Sequence, residues 1–336
     1  MKVKETITFD DLLMVPQYSE IISRKSIDLT SNLDNKRQFE LPIISSPMDT
    51  VTGATMARTM SEAGGLGVIH RYDSIDDQCD RIRRANAETA AAIGVTGDYL
   101  ERATALIESG CNILCVDVAH GHHALMRHAL KTLRNTVGYG IHIMAGNIAT
   151  LEGFNDLSDW GADSVRVGIG GGSICSTRIQ TGHGVPTLQS VIDCSRSDRP
   201  AALIADGGIK TPGDIVKALA SGADFVMLGS MLAGTAESPG QVFYGENGQY
   251  KSYRGMASVE AQIDWRGHTS SVEGVSHTIP YKGSVVDILK GLEGSIRSGL
   301  SYTGALNLTE LRVKANFIKQ TLAGQTESST HIKMRY

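Results

Sequence analysis

Residues 168–178 read GIGGGSICSTR, a glycine-rich run around one cysteine, Cys175, followed by the hydroxyl of Thr177 and the cation of Arg178. A thiolate is the nucleophilic form of cysteine, and a nearby cation favours it. Two chemistries suit such a stretch: covalent attack by the thiol, and a backbone grip on an anion. Gly207-Gly208 and Gly229-Ser230 each follow an apolar run and could bring N–H groups up to a phosphate. Asp206, one residue before the first pair, is placed to accept from the two hydroxyls of a ribose. Cys79, Cys111, Cys115 and Cys194 fall inside helix or strand patterns and read as small packing residues. His120, His122 and His123 lack a carboxylate at a diagnostic spacing, so they read as solvent-facing or cofactor-stacking, not as metal ligands. GIGGGS also fails the dinucleotide fingerprint, GxGxxG with an acidic residue about 20 positions on. Any nicotinamide cofactor is therefore expected to bind without that motif.

Positioning these groups takes a scaffold with many strand ends in one place. Eight apolar, β-branched runs recur, at 41–46, 65–70, 91–95, 112–118, 141–146, 164–169, 202–207 and 225–230. They do not alternate, as expected of parallel strands covered on both faces. Segments with helical periodicity separate them, among them 211–222, which opens on Thr211-Pro212 and stops at Ser221-Gly222. The spacing predicts a single α/β domain over 1–336, a (β/α)8 barrel, with a doubly wound open sheet as the alternative. In such barrels chemistry sits at the carboxyl ends of the strands, with a phosphate site after strands 7 and 8. The expected ends carry Ser46–Thr50, His70-Arg71, Asp117, Gly146-Asn147, the cysteine run, Asp206–Gly208 and Gly229-Ser230. Residues 1–40 form an extension, 231–284 a long connection ahead of a helix at 285–299, and 323–336 a polar tail. A connection that long is usually functional or disordered.

The composition is compatible with this. In 336 residues, 41% are hydrophobic and 20% charged, enough to build a large core. A net charge of −4 gives no sign of a nucleic-acid or anionic-membrane surface. No apolar run reaches the roughly 20 residues of a membrane span, and no secretory pattern opens the chain. Five cysteines without a CxxC pair suit a reducing, cytoplasmic setting.

Taken together, TFDDLLMVP (8–16), SSPMDTVT (45–52), DVAHGH (117–122), the cysteine run, ADGGI (205–209), GSMLAGTAESPG (229–240), YRGM (253–256) and EGVSHTIPYKG (273–283) resemble the IMP dehydrogenase/GMP reductase family. The resemblance spans nearly the whole chain in the family's order. It implies a (β/α)8 barrel, usually assembled as homotetramers, that binds a purine nucleotide monophosphate. By resemblance Ser173, Gly208, Gly229 and Ser230 hold the phosphate, Asp206 the ribose, and Tyr253, Gly255 and Met256 line the nucleotide site. Asp117 faces the nicotinamide cofactor, with His70 and Arg71 as further candidates. Gly170, Gly172 and the Cys175 carbonyl contribute to a potassium-type cation site, and Cys175 adds to purine C2.

Two reactions run through that thioimidate. The dehydrogenase passes hydride to NAD and hydrolyses the adduct to XMP; the reductase expels ammonia from GMP and takes hydride from NADPH. This chain has no room between its second and third strands for the regulatory module common in dehydrogenases. Residues 257–272, ASVEAQIDWRGHTSSV, lack the Arg-Tyr pair that activates water there, and Arg266 matches it poorly. Thr177 and Glu273 match a reductase pair that handles the proton for ammonia departure, a sensible relay of hydroxyl and carboxylate. These features predict a GMP reductase using NADP(H). SSPMDTVT, AHGH and ADGGI read more like dehydrogenases, and Gly171 stands where the family commonly has proline. The alternatives are an IMP dehydrogenase without the module and a non-catalytic purine-nucleotide sensor.

Overall fold

A computed structural model describes residues 3–328. Eight parallel strands close into a barrel: β1 (Ile43–Ser45), β2 (Leu66–Ile69), β3 (Thr89–Ile93), β4 (Ile113–Asp117), β5 (His142–Ile148), β6 (Ser164–Val167), β7 (Ala202–Asp206) and β8 (Phe225–Leu228). They pair in chain order, and β8 closes on β1 with Leu228 opposite Ser45. The closed ring decides against the open sheet.

Strand periodicity divides the core in two. Ile44, Val68, Ala90, Ala92, Cys115, Met144, Ile204 and Met227 point inward and form one buried cluster. Their neighbours Ile43, Ile69, Ala91, Leu114, Ile143, Val165, Ala205 and Val226 point outward into a second, under the helices. This two-sided burial is why the strands read as unbroken apolar runs. β3 starts two residues earlier than the sequence predicts, because its Ala90–Ala92 run carries no β-branched signal.

A helix follows each strand. They include α1 (Ala54–Glu62), α2 (Ile75–Ala85), α3 (Tyr99–Glu108), α4 (Ala124–Val137), α5 (Leu151–Asp159), the short α6 (Thr177–Thr181), α7 (Thr187–Cys194) and α8 (Pro212–Ala220). α8 opens on a capping box between Thr211 and Asp214 with Pro212 at its first position, as the sequence signals. The N-terminal extension supplies a hairpin, Ser31–Asn32 with Gln38–Phe39, which plugs the amino end of the barrel. Its Leu33 and Phe39 join the inward cluster, Phe39 edge-on to Phe225 at 5.9 Å.

The 231–284 connection is structured. β9 (Phe243–Gly245), β10 (Gly248–Arg254) and β11 (Ser276–Pro280) form an antiparallel sheet, with α9 (Val259–Arg266) between the last two. α10 (Val285–Thr303) runs four residues past the expected end, to Gly304 in the left-handed region. α11 (Leu308–Lys314) and α12 (Leu322–Glu327) follow. A short strand, Phe317–Lys319, pairs with Leu12–Met14 near the start of the chain. The polar tail predicted from 323 lies outside the described residues from 329 on. Among the described residues no helix is long and apolar enough to cross a membrane.

Candidate active site

The inward positions at the carboxyl end of the barrel form a polar layer. Asp117 of β4, Arg166 of β6 and Asp206 of β7 all face this end. Arg166 donates to Asp117 Oδ1 at 2.6 Å and to Asp206 Oδ2 at 2.9 Å. Burial opposes its charge, but Cys115, Asp117 and Asp206 hold its pKa above the ordinary guanidinium value. Gly146 makes room for it: a Cβ there would lie 2.6 Å from the Arg166 Cβ. Asn147 Nδ2 donates to the Gly168 carbonyl and to Asp206 Oδ2, both at 2.8 Å, while its buried Oδ1 has no donor. The hydrogen bonds to the Asp206 carboxylate thus all fall on Oδ2, and Oδ1 has no donor among the described residues.

Above this layer lies a cavity of about 460 Å³. It falls in the size range of small-molecule sites. Its walls hold the predicted Ser173, Cys175, Thr177, Asp206, Gly207, Gly208, Gly229, Ser230, Tyr253, Gly255, Met256 and Glu273, together with Asp117, Arg71, Gly170 and Gly172.

One wall is the glycine cradle. Gly168 has φ +148, and a Cβ on it would sit 1.9 Å from the Asp206 carbonyl oxygen, so β6 and β7 meet only with glycine there. No protein acceptor takes the N–H of Gly208, Gly229 or Ser230 among the described residues. Ser173 Oγ and Tyr253 Oη share a hydrogen bond at 3.3 Å, and burial raises the pKa of the phenol. Behind the cradle, Lys282 Nζ donates to the Ser230 carbonyl at 2.5 Å.

The second wall carries the thiol. Cys175 is half-buried, and its Sγ donates to Thr177 Oγ1 at 3.1 Å. The loop is woven into the 231–284 segment: Ser176 N–H donates to the Glu273 carbonyl at 2.9 Å, and Val275 N–H to the Ile174 carbonyl at 3.0 Å. Cys175 and Gly274 lie opposite each other in this antiparallel bridge. Gly255 passes close behind, where a Cβ would be 3.3 Å from the Ile174 carbonyl. Met256 Sδ accepts the Asp49 N–H at 3.3 Å.

Some expectations change. Thr177 and Glu273 line one cavity but share no hydrogen bond; the Glu273 carboxylate accepts from Ser271 Oγ at 3.2 Å. Arg178 does not serve the thiol: its stem crosses Gly170 and Gly184, and Nη2 donates to the Val185 carbonyl at 2.8 Å. Gly171 has a steric reason, since a Cβ there would lie 2.5 Å from Thr187 Oγ1. Gly172 turns its carbonyl onto the Cys175 N–H at 3.1 Å. The other four cysteines are buried, and burial pushes the thiols of Cys111, Cys115 and Cys194 up to about 12.

The third wall is cationic and aromatic. Tyr72 and Trp265 meet edge to face at 4.9 Å, and Arg71 lies 5.1 Å from each ring centroid, its buried Nε without a partner among the described residues. Arg266 also lies over the Trp265 ring, at 4.3 Å. His70 is not on the cavity wall: it is buried, accepts the Tyr72 N–H at 3.3 Å, and burial lowers its pKa. His122 contacts Asp156 at 2.8 Å and His123 caps α4, while no group of three or more metal-ligating side chains exists among the described residues.

Sequence reasoning missed Arg166, Lys282 and Tyr72. Arg166 sits mid-strand in SVRV, where only the inward period marks it as part of the site.

Comparison with known proteins agrees with this geometry. The family model described as the IMP dehydrogenase/GMP reductase domain matches residues 6–331. The inosine-5'-monophosphate dehydrogenase of Nitrosopumilus maritimus is 34% identical, covering 98% of this chain and 99% of that one. The GMP reductase of Leishmania major is 32% identical, covering 97% of each. These alignments run over 474 and 476 positions, more than the 336 residues here, so both relatives carry extra internal sequence. Its absence therefore does not separate the two activities. A solved GMP reductase from Trypanosoma brucei, a cysteine-to-alanine variant in complex with guanosine 5'-monophosphate, superimposes with a TM-score of 0.95 at 30% identity, covering 98% of both chains. The chain belongs to the IMP dehydrogenase/GMP reductase family, whose members are oxidoreductases that work with a nicotinamide cofactor.

Proposed function

We propose that this protein is a GMP reductase, converting GMP to IMP and ammonia with NADPH through a covalent adduct on Cys175. The observation that carries the reading is the make-up of the segment over the cavity. Residues 257–272 hold no Arg-Tyr pair, and the one arginine there, Arg266, sits over the Trp265 ring at 4.3 Å. A reaction that must not hydrolyse its adduct gains from a cover without a water activator.

In this reading the free N–H groups of Gly208, Gly229 and Ser230, with Ser173 and Tyr253, grip the phosphate, and Lys282 holds the cradle from behind. Asp206 Oδ1 takes the ribose hydroxyls, while Gly255 and Met256 flank the base. Cys175 Sγ bonds to purine C2 and gives up its proton, by way of the Thr177 hydroxyl, to the Glu273 carboxylate. Glu273 passes that proton to the 2-amino group, which leaves as ammonia. Hydride delivered to C2 then releases IMP, and the sulfur electron pair returns to Cys175.

The residues present fit a nicotinamide. Asn147 Oδ1 is buried without a donor, an acceptor suited to a carboxamide N–H, and Asp117 stands beside it. Bound NADPH supplies the hydride. Arg71 and Arg266 are the cations available to an additional phosphate. The cation site is a poorer fit: with Gly172 turned inward, Gly170 and Cys175 offer only part of a shell, and no step here uses potassium. A homotetramer, resting on family resemblance, and a cytoplasmic setting, resting on the cysteine usage, complete the proposal.

IMP dehydrogenase is the second reading, favoured by one observation: Arg266 does line the cavity. The test is nicotinamide absorbance in parallel assays, GMP with NADPH and IMP with NAD, both with potassium. Loss of NADPH in the first alone establishes the reductase. NADH formed only in the second makes the protein a dehydrogenase, and silence in both leaves a different purine substrate or nucleotide sensing.

A further inference from the structure

We infer that Gln262 is a positioning residue that sets the Glu273 carboxylate against the thiol, by bracing the loop between α9 and β11. The inference rests on the reductase reading for Glu273's role, and on this structure for the bracing itself.

Gln262 lies on α9 and is only 4% exposed, next to the buried Ala261. A hydrocarbon side chain would fill that place at no desolvation cost, so a buried amide calls for partners. It has them at both ends. Nε2 donates to the Ala257 and Ser271 carbonyls, each at 3.0 Å. Oε1 accepts from Ser270 N–H at 2.8 Å and from Ser270 Oγ at 3.1 Å. The side chain thus uses both of its donors and its acceptor.

Between the Gly267 N–H, which donates to the Ile263 carbonyl at 2.8 Å, and the Glu273 N–H, which donates to the Ala257 carbonyl at 3.2 Å, residues 268–272 make no backbone-to-backbone hydrogen bond among the described residues. The amide takes the place of that ladder. By fixing the Ser271 carbonyl it fixes Ser271 Oγ, which donates to Glu273 Oε1 at 3.2 Å. The Glu273 carbonyl, at the other end, accepts the Ser176 N–H beside the thiol. The carboxylate is therefore held from two sides, by backbone at the cysteine loop and by Gln262 through Ser271.

The test compares full-length wild type, Gln262→Met, Ser271→Ala and the double variant. Two readouts are used: amide hydrogen exchange over 268–275, and steady-state kinetics with GMP and NADPH. In Gln262→Met we expect exchange at Ser270 and Glu273 to rise at least about tenfold. We expect kcat to fall on the order of 10- to 100-fold, as for small misplacements of a catalytic group, with KM for GMP within about twofold. Ser271→Ala should lower kcat without raising exchange and with KM for GMP unmoved, and the double variant should lower kcat no further than Gln262→Met alone. Unchanged exchange, or raised exchange with an unmoved kcat, overturns the inference. So does a loss of kcat matched by a parallel rise of KM, which marks Gln262 as structural only. If wild type itself consumes no NADPH with GMP, the reductase reading fails instead, and the exchange data still decide whether Gln262 braces the loop.

Discussion

Asp117 of β4 and Asp206 of β7 are joined through one guanidinium, with Arg166 at 2.6 Å from the first and 2.9 Å from the second. The groups proposed to face the cofactor and the ribose are thus electrostatically one unit. All three side chains are largely buried. Removing the shared cation leaves two carboxylates near each other without a counter-charge. Arg166→Met is expected to cost about 3–5 kcal/mol of stability, read as a fall in the urea midpoint. A loss under about 1 kcal/mol would mean that the carboxylates have other partners.

Cys175→Ala is expected to abolish turnover while GMP still binds within about threefold in calorimetry, because the cradle and Asp206 are untouched. Glu273→Gln should slow ammonia release and leave nucleotide affinity nearly unchanged. Normal turnover in Glu273→Gln would remove that carboxylate from the mechanism.

Gly171 and Thr187 form a steric pair. Gly171→Ala brings a Cβ to 2.5 Å of Thr187 Oγ1, and overpacking of this kind costs about 1–3 kcal/mol. Thr187 Oγ1 is buried without a partner, so Thr187→Ala alone should cost little. The double variant should recover most of the loss, measured by thermal unfolding. Additive losses would show that the two positions are independent.

At the amino end of the barrel, Asp34 receives His142 Nδ1, Lys36 N–H and Arg37 Nη1, each at 2.7 Å. Burial alone would raise its pKa, but these hydrogen bonds and the nearby charge bring it well below the usual carboxylate range. A carboxyl depressed on folding stabilises the protein fully above its unfolded pKa, and that stability drains away as pH falls toward the folded value. Asp34→Asn should therefore cost about 1–3 kcal/mol at pH 7, with the gap to wild type closing below about pH 4. A gap that stays constant from pH 7 to pH 3 would refute this assignment.

What the sequence made legible was whatever repeats or stands next to its neighbours in the chain. The eight strands were readable because burial on both faces leaves unbroken apolar runs. The cradle glycines were readable because a barrel puts strand ends together. Residues whose meaning lies in distant partners were not readable. Arg166 is defined by carboxylates 49 and 40 positions away, and Lys282 by a carbonyl 52 positions away. Arg178 misled in the opposite sense: beside the cysteine in the chain, it reaches for Val185 in space. His70 ends a strand as expected, but is buried against Tyr72 and Asp73.

The bridge between 174–176 and 273–275 makes the cover of the cavity and the loop of the thiol backbone neighbours. Raising 273–275 from the cavity means parting Ser176 from the Glu273 carbonyl and Val275 from that of Ile174. The residues that flank Cys175 therefore lose two backbone partners whenever that cover lifts. Access to the site and the seating of the thiol are set by the same pair of hydrogen bonds.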